Sequence, residues 1–528
     1  MSGLDTSEKN TRFTRSPMDK LMMKHIFLYG PPGTGKSVIG KALAEKLRLP
    51  FVDLDCEIEK SAGKPISQMM KENGEDAFRD LESAVLQNIV SNEESVVAPG
   101  GGALLRDENR AFVESRGKVV LLMAELPTLL ERLQKGNEQR PLLAGNLTSK
   151  LMSLLEKRKE HYASFPLKIH VDGKSVEQSA RELQIVLGRY HLSAMGEYDA
   201  IVGQVSNLTE FPMRSPIIVT DENAAKFHLE KMESILQASG FEPKHVIVPA
   251  GEEHKNLGTV SRLWKVFLDN GLDRKSTVIA LGGGVIGDMA GFAASTYMRG
   301  VDWVCVPTTL LAMVDSSLGG KTGFDLAEGK NLIGSFHPPK LVLADVEFLK
   351  TLPDAELISG MAEVVKHGII SDPELFYLCG RGSEWVKNNL EEIVKRAMAV
   401  KIKIIEDDPY EKGFRAALNL GHTVGHAVEW VSGFQLRHGE AVAIGMAAEA
   451  KLAERLTVAA KGLSDAVAES LSALGLPVQI PNDMPREEII RVMRVDKKKN
   501  AMAIRFALPA EIGKVELVDV TDLEAVLE

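Results

Sequence analysis

Three histidines stand close together in Asn419–Met446, NLGHTVGHAVEWVSGFQLRHGEAVAIGM, a stretch otherwise apolar and rich in glycine. His422 and His426 are four residues apart, so on a helix they share one face about one turn apart. His438 follows a break at Ser432-Gly433-Phe434 and opens a second apolar run with Gly439-Glu440. Neutral imidazole is the commonest side-chain metal ligand, and two imidazoles with one carboxylate make an open, catalytic type of metal site. A lone histidine on a helix is usually a satisfied polar group; three in one short segment point to a metal. By spacing alone, His422 and His426 are the co-ligands.

Two glycine loops offer places for phosphate. Lys24–Tyr29 is a short apolar strand candidate that runs into Gly30–Ser37, a G-x-x-x-x-G-K-S loop, and Val38–Leu47 then has helical apolar spacing. The backbone N–H groups of Gly33, Thr34 and Gly35 can close around phosphates, aided by the positive end of the helix. Lys36 reaches the β- and γ-phosphates of ATP, and the Ser37 hydroxyl sits on Mg²⁺. Farther on, Thr277–Leu281 enters Gly282-Gly283-Gly284-Val285-Ile286-Gly287-Asp288, a G-x-G-x-x-G after a strand and before an apolar helix. That motif admits a pyrophosphate, though a tight turn explains it as well.

These groups need a sizeable scaffold, and the chain supplies one. With 528 residues, 44% hydrophobic and 26% charged, it reads as a globular protein of two to four domains, at about 150 residues each. A net charge of −10 argues against nucleic acid or an anionic membrane as partner. Cys56, Cys305 and Cys379 have no paired spacing and read as reduced, which points to the cytoplasm. No apolar run reaches the ~18 residues of a membrane span, and residues 1–23 read as a polar, disordered lead.

Behind the first glycine loop come Phe51-Val52-Asp53-Leu54-Asp55, Phe78-Arg79-Asp80-Leu81-Glu82, Pro99-Gly100-Gly101-Gly102, Arg140-Pro141-Leu142-Leu143 and Arg158-Lys159-Glu160-His161-Tyr162. In this order residues 24–190 resemble shikimate kinase. The resemblance implies that Asp55 contacts the acceptor hydroxyl as base, with Asp53 near Mg²⁺. Arg79 and Arg158 would clamp the shikimate carboxylate as guanidinium forks. Glu82 would hold Arg79, and Gly101 and Gly102 would let the backbone approach the ring. Arg140 would sit on a lid around Gln134–Gln139 and stabilise the transferring phosphoryl group. A gluconate- or adenylate-kinase type with the same loop is the rival; the two-arginine clamp with the glycine triplet favours shikimate.

The histidine stretch, GHT-GHA-E followed by HGEAV, resembles 3-dehydroquinate synthase, and the resemblance runs from about Tyr198 to the end. It implies Zn²⁺ or Co²⁺ on Glu363, His422 and His438, with Glu363 in the matching motif Glu363-Val364-Val365-Lys366-His367-Gly368. His426 then transfers a proton beside the substrate. NAD would be held by Asp221, Asn223, Glu252, Lys255, Gly283, Gly284, Val285, Asp288, Thr308, Thr309, Asp315, Lys321 and Lys330. The implied substrate, 3-deoxy-D-arabino-heptulosonate 7-phosphate, would meet Arg299, Asp315, Lys321, Asn331, Lys366, Lys401, Arg415, Asn419, His426 and Lys498. Asp325 departs from the family, which often has Asn there. A polyol dehydrogenase of the related fold needs no basic cluster, and a scaffold with dead sites needs none of these residues intact.

The expected architecture is α/β: a P-loop NTPase-type parallel sheet domain (24–190), a Rossmann-like NAD-binding α/β domain (198–348) and a mainly α-helical metal-binding domain (349–528). Arg189–Glu197 reads as a short polar tether. The expected partners are small-molecule substrates and a second copy of the chain, paired as a dimer through the second half.

Overall fold

The computed structural model describes residues 25–89, 93–135, 146–496 and 503–527; the expected lead, Arg140 and Lys497–Lys499 lie outside them. The chain divides after Leu187 into two units. In the first, β1 (His25–Tyr29), β2 (Phe51–Asp53), β3 (Val96–Ala98), β4 (Gly117–Met123) and β5 (Lys168–His170) form one sheet in the order β2-β3-β1-β4-β5, every pair parallel. All five residues of β1 are buried, as a central parallel strand covered on both faces requires. Alternate residues feed opposite layers: Phe27 and Tyr29 pack with Leu54, Phe78 and Phe165, while Ile26 and Leu28 pack with Leu43, Leu183 and Leu187. At its end β1 turns through the glycine loop into the helix Lys36–Leu47, and Gly30, Gly33 and Gly35 all have positive φ.

In the second unit, β6 (Arg189–Leu192), β7 (Tyr198–Val202), β8 (Ile217–Asp221), β9 (Lys244–Val248), β10 (Thr277–Gly282) and β11 (Asp302–Pro307) precede a hairpin of β12 (Lys321–Leu326) and β13 (Gly329–Phe336). With β14 (Leu341–Ala344) they make a seven-stranded sheet ordered β6-β7-β14-β11-β10-β8-β9. Only β6 runs antiparallel to its neighbour. The rest of the unit is mainly helical. The helices Asp354–Ser371, Leu390–Asp407, His422–Val431 and His438–Arg455 come first, and the hairpin β15 (Ile504–Glu511) and β16 (Lys514–Val520) follows.

Two local expectations change. Arg189–Leu192 is a sheet strand and not a tether: Tyr190 and Leu192 are buried while Arg189 and His191 are half-buried, a period-two pattern too short to stand out among polar residues. The glycine-punctuated stretch around Lys321 and Lys330 is a paired hairpin and not a set of loops. A Cβ on Gly323 would lie 2.4 Å from the Ile333 oxygen, and one on Gly334 2.3 Å from the Thr322 oxygen. Those glycines serve the close approach of two strands.

Candidate active sites

In the first unit the side chains of Asp55, Arg79, Glu82 and Arg158 converge on Gly100–Gly102. Cβ atoms built on these glycines would lie 2.7 Å from Asp55 Oδ1 and 3.0 Å from Glu82 Oε1 at Gly100, and 2.5 Å from Arg79 Nη2 at Gly102. Arg158 Nη1 donates to the Gly101 oxygen at 2.5 Å. A side chain at Gly100 or Gly102 would displace those groups, whereas one at Gly101 would meet the Gly30 oxygen at an ordinary 3.5 Å, so the backbone floors the site chiefly at its two ends. Arg79 pairs with the buried Glu82 at 2.7 Å and with Glu75 at 3.2 Å. Burial raises the Glu82 carboxyl, and Arg79 pulls it back.

The phosphate loop lies at the end of the neighbouring strand. Lys36 Nζ donates to the Gly30 and Pro31 oxygens at 2.9 and 3.1 Å, which curls the ammonium over the loop. Ser37 Oγ donates to Asp53 Oδ2 at 2.5 Å, and Asp53 also caps the helix Leu54–Ala62. A hydroxyl and a carboxylate side by side under a phosphate loop suit Mg²⁺. Sequence reasoning missed Arg132, which donates to the Thr34 and Val171 oxygens at 3.2 and 3.3 Å and braces the loop.

In the second unit, three helices bring Glu363, His422 and His438 together with their ligand atoms all within 4.8 Å of one another. His422 and His438 are the first residues of their helices, and Glu363 lies midway along Asp354–Ser371. The helices can approach because glycines face backbone. A Cβ on Gly439 would lie 1.8 Å from the Ser359 oxygen, and one on Gly445 1.9 Å from the Gly421 oxygen. Glu449, fully buried, accepts from Gly421 N at 2.6 Å and ties the helix His438–Arg455 to the start of His422–Val431.

The donor set fits a metal. His422 Nε2 and His438 Nε2 lie 3.5 and 3.6 Å from Glu363 Oε1, near the ~3.4 Å between ligand atoms around a tetrahedral ion with bonds of about 2.0–2.1 Å. His422 Nδ1 faces the Leu420 oxygen at 3.2 Å and His438 Nδ1 faces Glu429 at 3.4 Å. With the proton on each outer nitrogen, each Nε2 would turn a lone pair toward a bound ion; without one, burial would lower His438, but Glu363 and Glu429 raise it to about 9. Both Glu363 oxygens are buried without a hydrogen bond, although Lys366 forms an ion pair with the carboxylate. Burial would raise Glu363, but Lys366, His422 and His438 hold it well below the usual range. Spacing favoured His422 with His426; His426 instead groups with Glu429 and His438. Glu429, the closing acid of the GHT-GHA-E motif, was given no role from the sequence.

Two cavities meet beside these ligands. A cleft of about 1440 Å³ is lined by the whole expected NAD set except Lys321, and by His426 and His438. A cavity of about 620 Å³ is lined by Asp315, Lys321, Asn331, Lys366, Lys401, Arg415, Asn419 and His422. Asp288, Asp315, Ser316, Asn331 and Leu332 line both, so the two cavities share a wall. Lys255 bridges Asp288 at 2.7 Å and Asn331 at 2.6 Å. Lys401 pairs with Asp315 at 2.6 Å, and Lys321 with Glu411 at 3.0 Å. Burial lowers Lys401; Asp315, raised by burial, is brought below its usual range chiefly by Lys401. Arg299, exposed and in a left-handed conformation at φ 70°, lines neither cavity. Lys498 and Arg140 fall outside the described residues.

Fold and site together define a P-loop kinase joined to a metal- and nucleotide-dependent enzyme of small phosphorylated molecules. Residues 32–187 match the shikimate kinase family model, 245–359 the 3-dehydroquinate synthase N-terminal model and 360–499 its C-terminal model. A 3-dehydroquinate synthase of Nostoc punctiforme is 46% identical over 310 residues, 57% of this chain and 85% of the relative. Another, from Symbiobacterium thermophilum, is 46% identical over 57% of this chain and 86% of its own length. A crystal structure of 2-deoxy-scyllo-inosose synthase with carbaglucose-6-phosphate, NAD⁺ and Co²⁺ aligns at 27% identity and TM-score 0.60, covering 64% of this chain and 99% of that one. The chain belongs to the 3-dehydroquinate synthase family through its second unit and carries a shikimate kinase unit ahead of it. Both are enzymes of the shikimate pathway. No helix among the described residues is long and apolar enough to cross a membrane.

Proposed function

We propose that the second unit converts 3-deoxy-D-arabino-heptulosonate 7-phosphate to 3-dehydroquinate and phosphate, and that the first phosphorylates shikimate. The observation that carries the synthase reading is the inward-facing donor set Glu363, His422 and His438 beside a cavity walled by buried cations. Held by Glu363, His422 and His438, the metal would supply Lewis acidity toward substrate oxygens, NAD in the cleft would supply a reversible hydride acceptor, and Mg²⁺ would neutralise charge on the phosphates of ATP, the phosphoryl donor. Lys321, Lys366, Lys401 and Arg415 hold carboxylate and phosphate, and the burial of the last three strengthens each contact by excluding water. Asp315 balances Lys401. Asn331 and Asn419 orient hydroxyls, and His426, exposed in the cleft, moves the proton. The remaining cleft residues, from Asp221 and Asn223 to Lys330, hold the nucleotide.

In the kinase unit Asp55 takes the proton from the acceptor hydroxyl, and Arg79 and Arg158 clamp the carboxylate above Gly101 and Gly102. Gly33, Thr34, Gly35 and Lys36 bind ATP, while Ser37 and Asp53 hold Mg²⁺. The domains are the kinase through Leu187, a nucleotide domain at 188–348 and a helical domain at 349–528. The three cysteines are free, in keeping with a reducing cytoplasm.

The test is phosphate release from the heptulosonate phosphate with catalytic NAD, before and after chelator treatment and Zn²⁺ return. Turnover should vanish with the chelator, return with Zn²⁺ and accumulate no NADH. Stoichiometric NADH without phosphate release would overturn the synthase reading. Glu363→Ala should abolish this turnover and leave the kinase intact.

A further inference from the structure

Tyr29 ends β1 with its side chain fully buried, yet its hydroxyl lies 3.3 Å from the Gly101 oxygen and 3.2 Å from His161 Nε2. Neither side chain has a role in the chemistry above. A phenol has one proton and a carbonyl oxygen can only accept. Tyr29 therefore donates to Gly101, and its own oxygen accepts from His161 Nε2–H. The carbonyl fixes the direction of the chain, His161 to Tyr29 to Gly101, and with it the imidazole tautomer.

The same Gly101 oxygen accepts from Arg158 Nη1, so one carbonyl gathers both donors. His161 and Arg158 are also joined through the chain, because His161 lies in the short helix Lys159–Ala163 that Arg158 begins. Aromatic contacts hold that helix against β1: Tyr29 meets Phe165 at 5.3 Å and Tyr162 at 5.8 Å, and His161 meets Phe165 edge-on at 5.2 Å. Burial, then Arg110 and Arg158, lower His161, and burial raises Tyr29. Both partners are thus neutral near pH 7, as the directed chain requires.

We propose that Tyr29 and His161 are positioning residues of the shikimate site, which set Gly101, and through it Arg158, from beneath the glycine floor. This rests on Arg158 as the carboxylate clamp. Without the phenol hydroxyl the Gly101 oxygen keeps only Arg158, and floor and guanidinium shift together. The acceptor site should suffer while the phosphate loop, whose backbone does not depend on the hydroxyl, stays intact.

The experiment is steady-state kinase kinetics on the full chain with shikimate and Mg²⁺–ATP each varied. Tyr29→Phe and His161→Leu should each raise KM for shikimate about five- to thirtyfold, the usual consequence of an unpartnered buried polar group. KM for ATP should change less than about twofold. His161→Gln, which keeps an N–H donor near the Nε2 position, should restore most of the affinity. The double variant Tyr29→Phe/His161→Leu should be no worse than Tyr29→Phe alone, because both act on one chain of hydrogen bonds. An unchanged KM for shikimate in Tyr29→Phe, parallel rises for both substrates, or additive effects would overturn the proposal. Arg158→Met serves as reference. If it leaves KM for shikimate unchanged, the clamp assignment falls and this inference with it; if it weakens binding while Tyr29→Phe is silent, only this inference falls.

Discussion

Gly445→Ala should disassemble the metal site without touching a ligand. The added Cβ would lie 1.9 Å from the Gly421 oxygen, 2.8 Å from its carbonyl carbon and 2.9 Å from Gly425 N. Ordinary contact begins near 3.4 Å, so the helices His422–Val431 and His438–Arg455 must separate by about 1.5 Å. Both surfaces are backbone, and no rotamer relieves the clash. Overpacking of this kind costs about 1–3 kcal/mol in stability. The effect on the site is larger, because His422 follows Gly421 directly and metal–ligand distances tolerate only about 0.2 Å of error. Zn²⁺ affinity, measured by equilibrium dialysis against a competing chelator, should fall on the order of a hundredfold or more, and synthase turnover should fall with it. Kinase turnover in the same preparation reports that the other unit is intact. A variant that keeps its Zn²⁺ affinity within about threefold of the parent would refute the argument that helix approach sets the ligand spacing. Gly439→Ala, which would meet the Ser359 oxygen at 1.8 Å, repeats the test on the other helix pair.

Glu429→Gln should weaken Zn²⁺ binding by about 10- to 100-fold, as loss of a ligand's outer partner does, and dialysis again reads it; unchanged affinity would mean that Glu429 does not orient His438. Lys36→Met should lower kinase kcat by about 100- to 1,000-fold and leave synthase turnover unaltered, with coupled assays on one sample deciding. His367 is fully buried with neither ring nitrogen hydrogen-bonded, and burial, then Lys366, hold it down to about 3. Its unfolded value is about 6.5, so between those limits the unfolded chain binds the extra proton. Stability should therefore fall as pH falls from about 6.5 toward 3, by up to roughly 1.4 kcal/mol per pH unit. His367→Phe should flatten that part of the urea-midpoint profile, and an unchanged slope would sink the assignment.

Much of the molecule was determined by local chemistry that sequence carries directly. The loop Gly30–Ser37 follows a buried strand and opens a helix, because glycine, lysine and serine at those intervals have few other uses. The triplet at 282–284 behaves likewise: Gly283 caps the helix that Gly284 begins. The apolar spacing of Glu391–Ile405 is helical, and those residues lie within the helix Leu390–Asp407, since a 3.6-residue apolar period is a local signal.

Tertiary structure decided the rest. Four-residue spacing could pair His422 with His426, but only the packing of three helices brings His438 and Glu363 to His422. Glu429 and Glu449 owe their roles to neighbours 9 and 28 residues away in the chain, and Tyr29 meets His161 across a separation of 132. Such contacts leave no periodicity for a sequence to display. Residue types and spacing thus determine which chemistry is possible, whereas the close approach of backbones through glycine decides which of the possible groups meet.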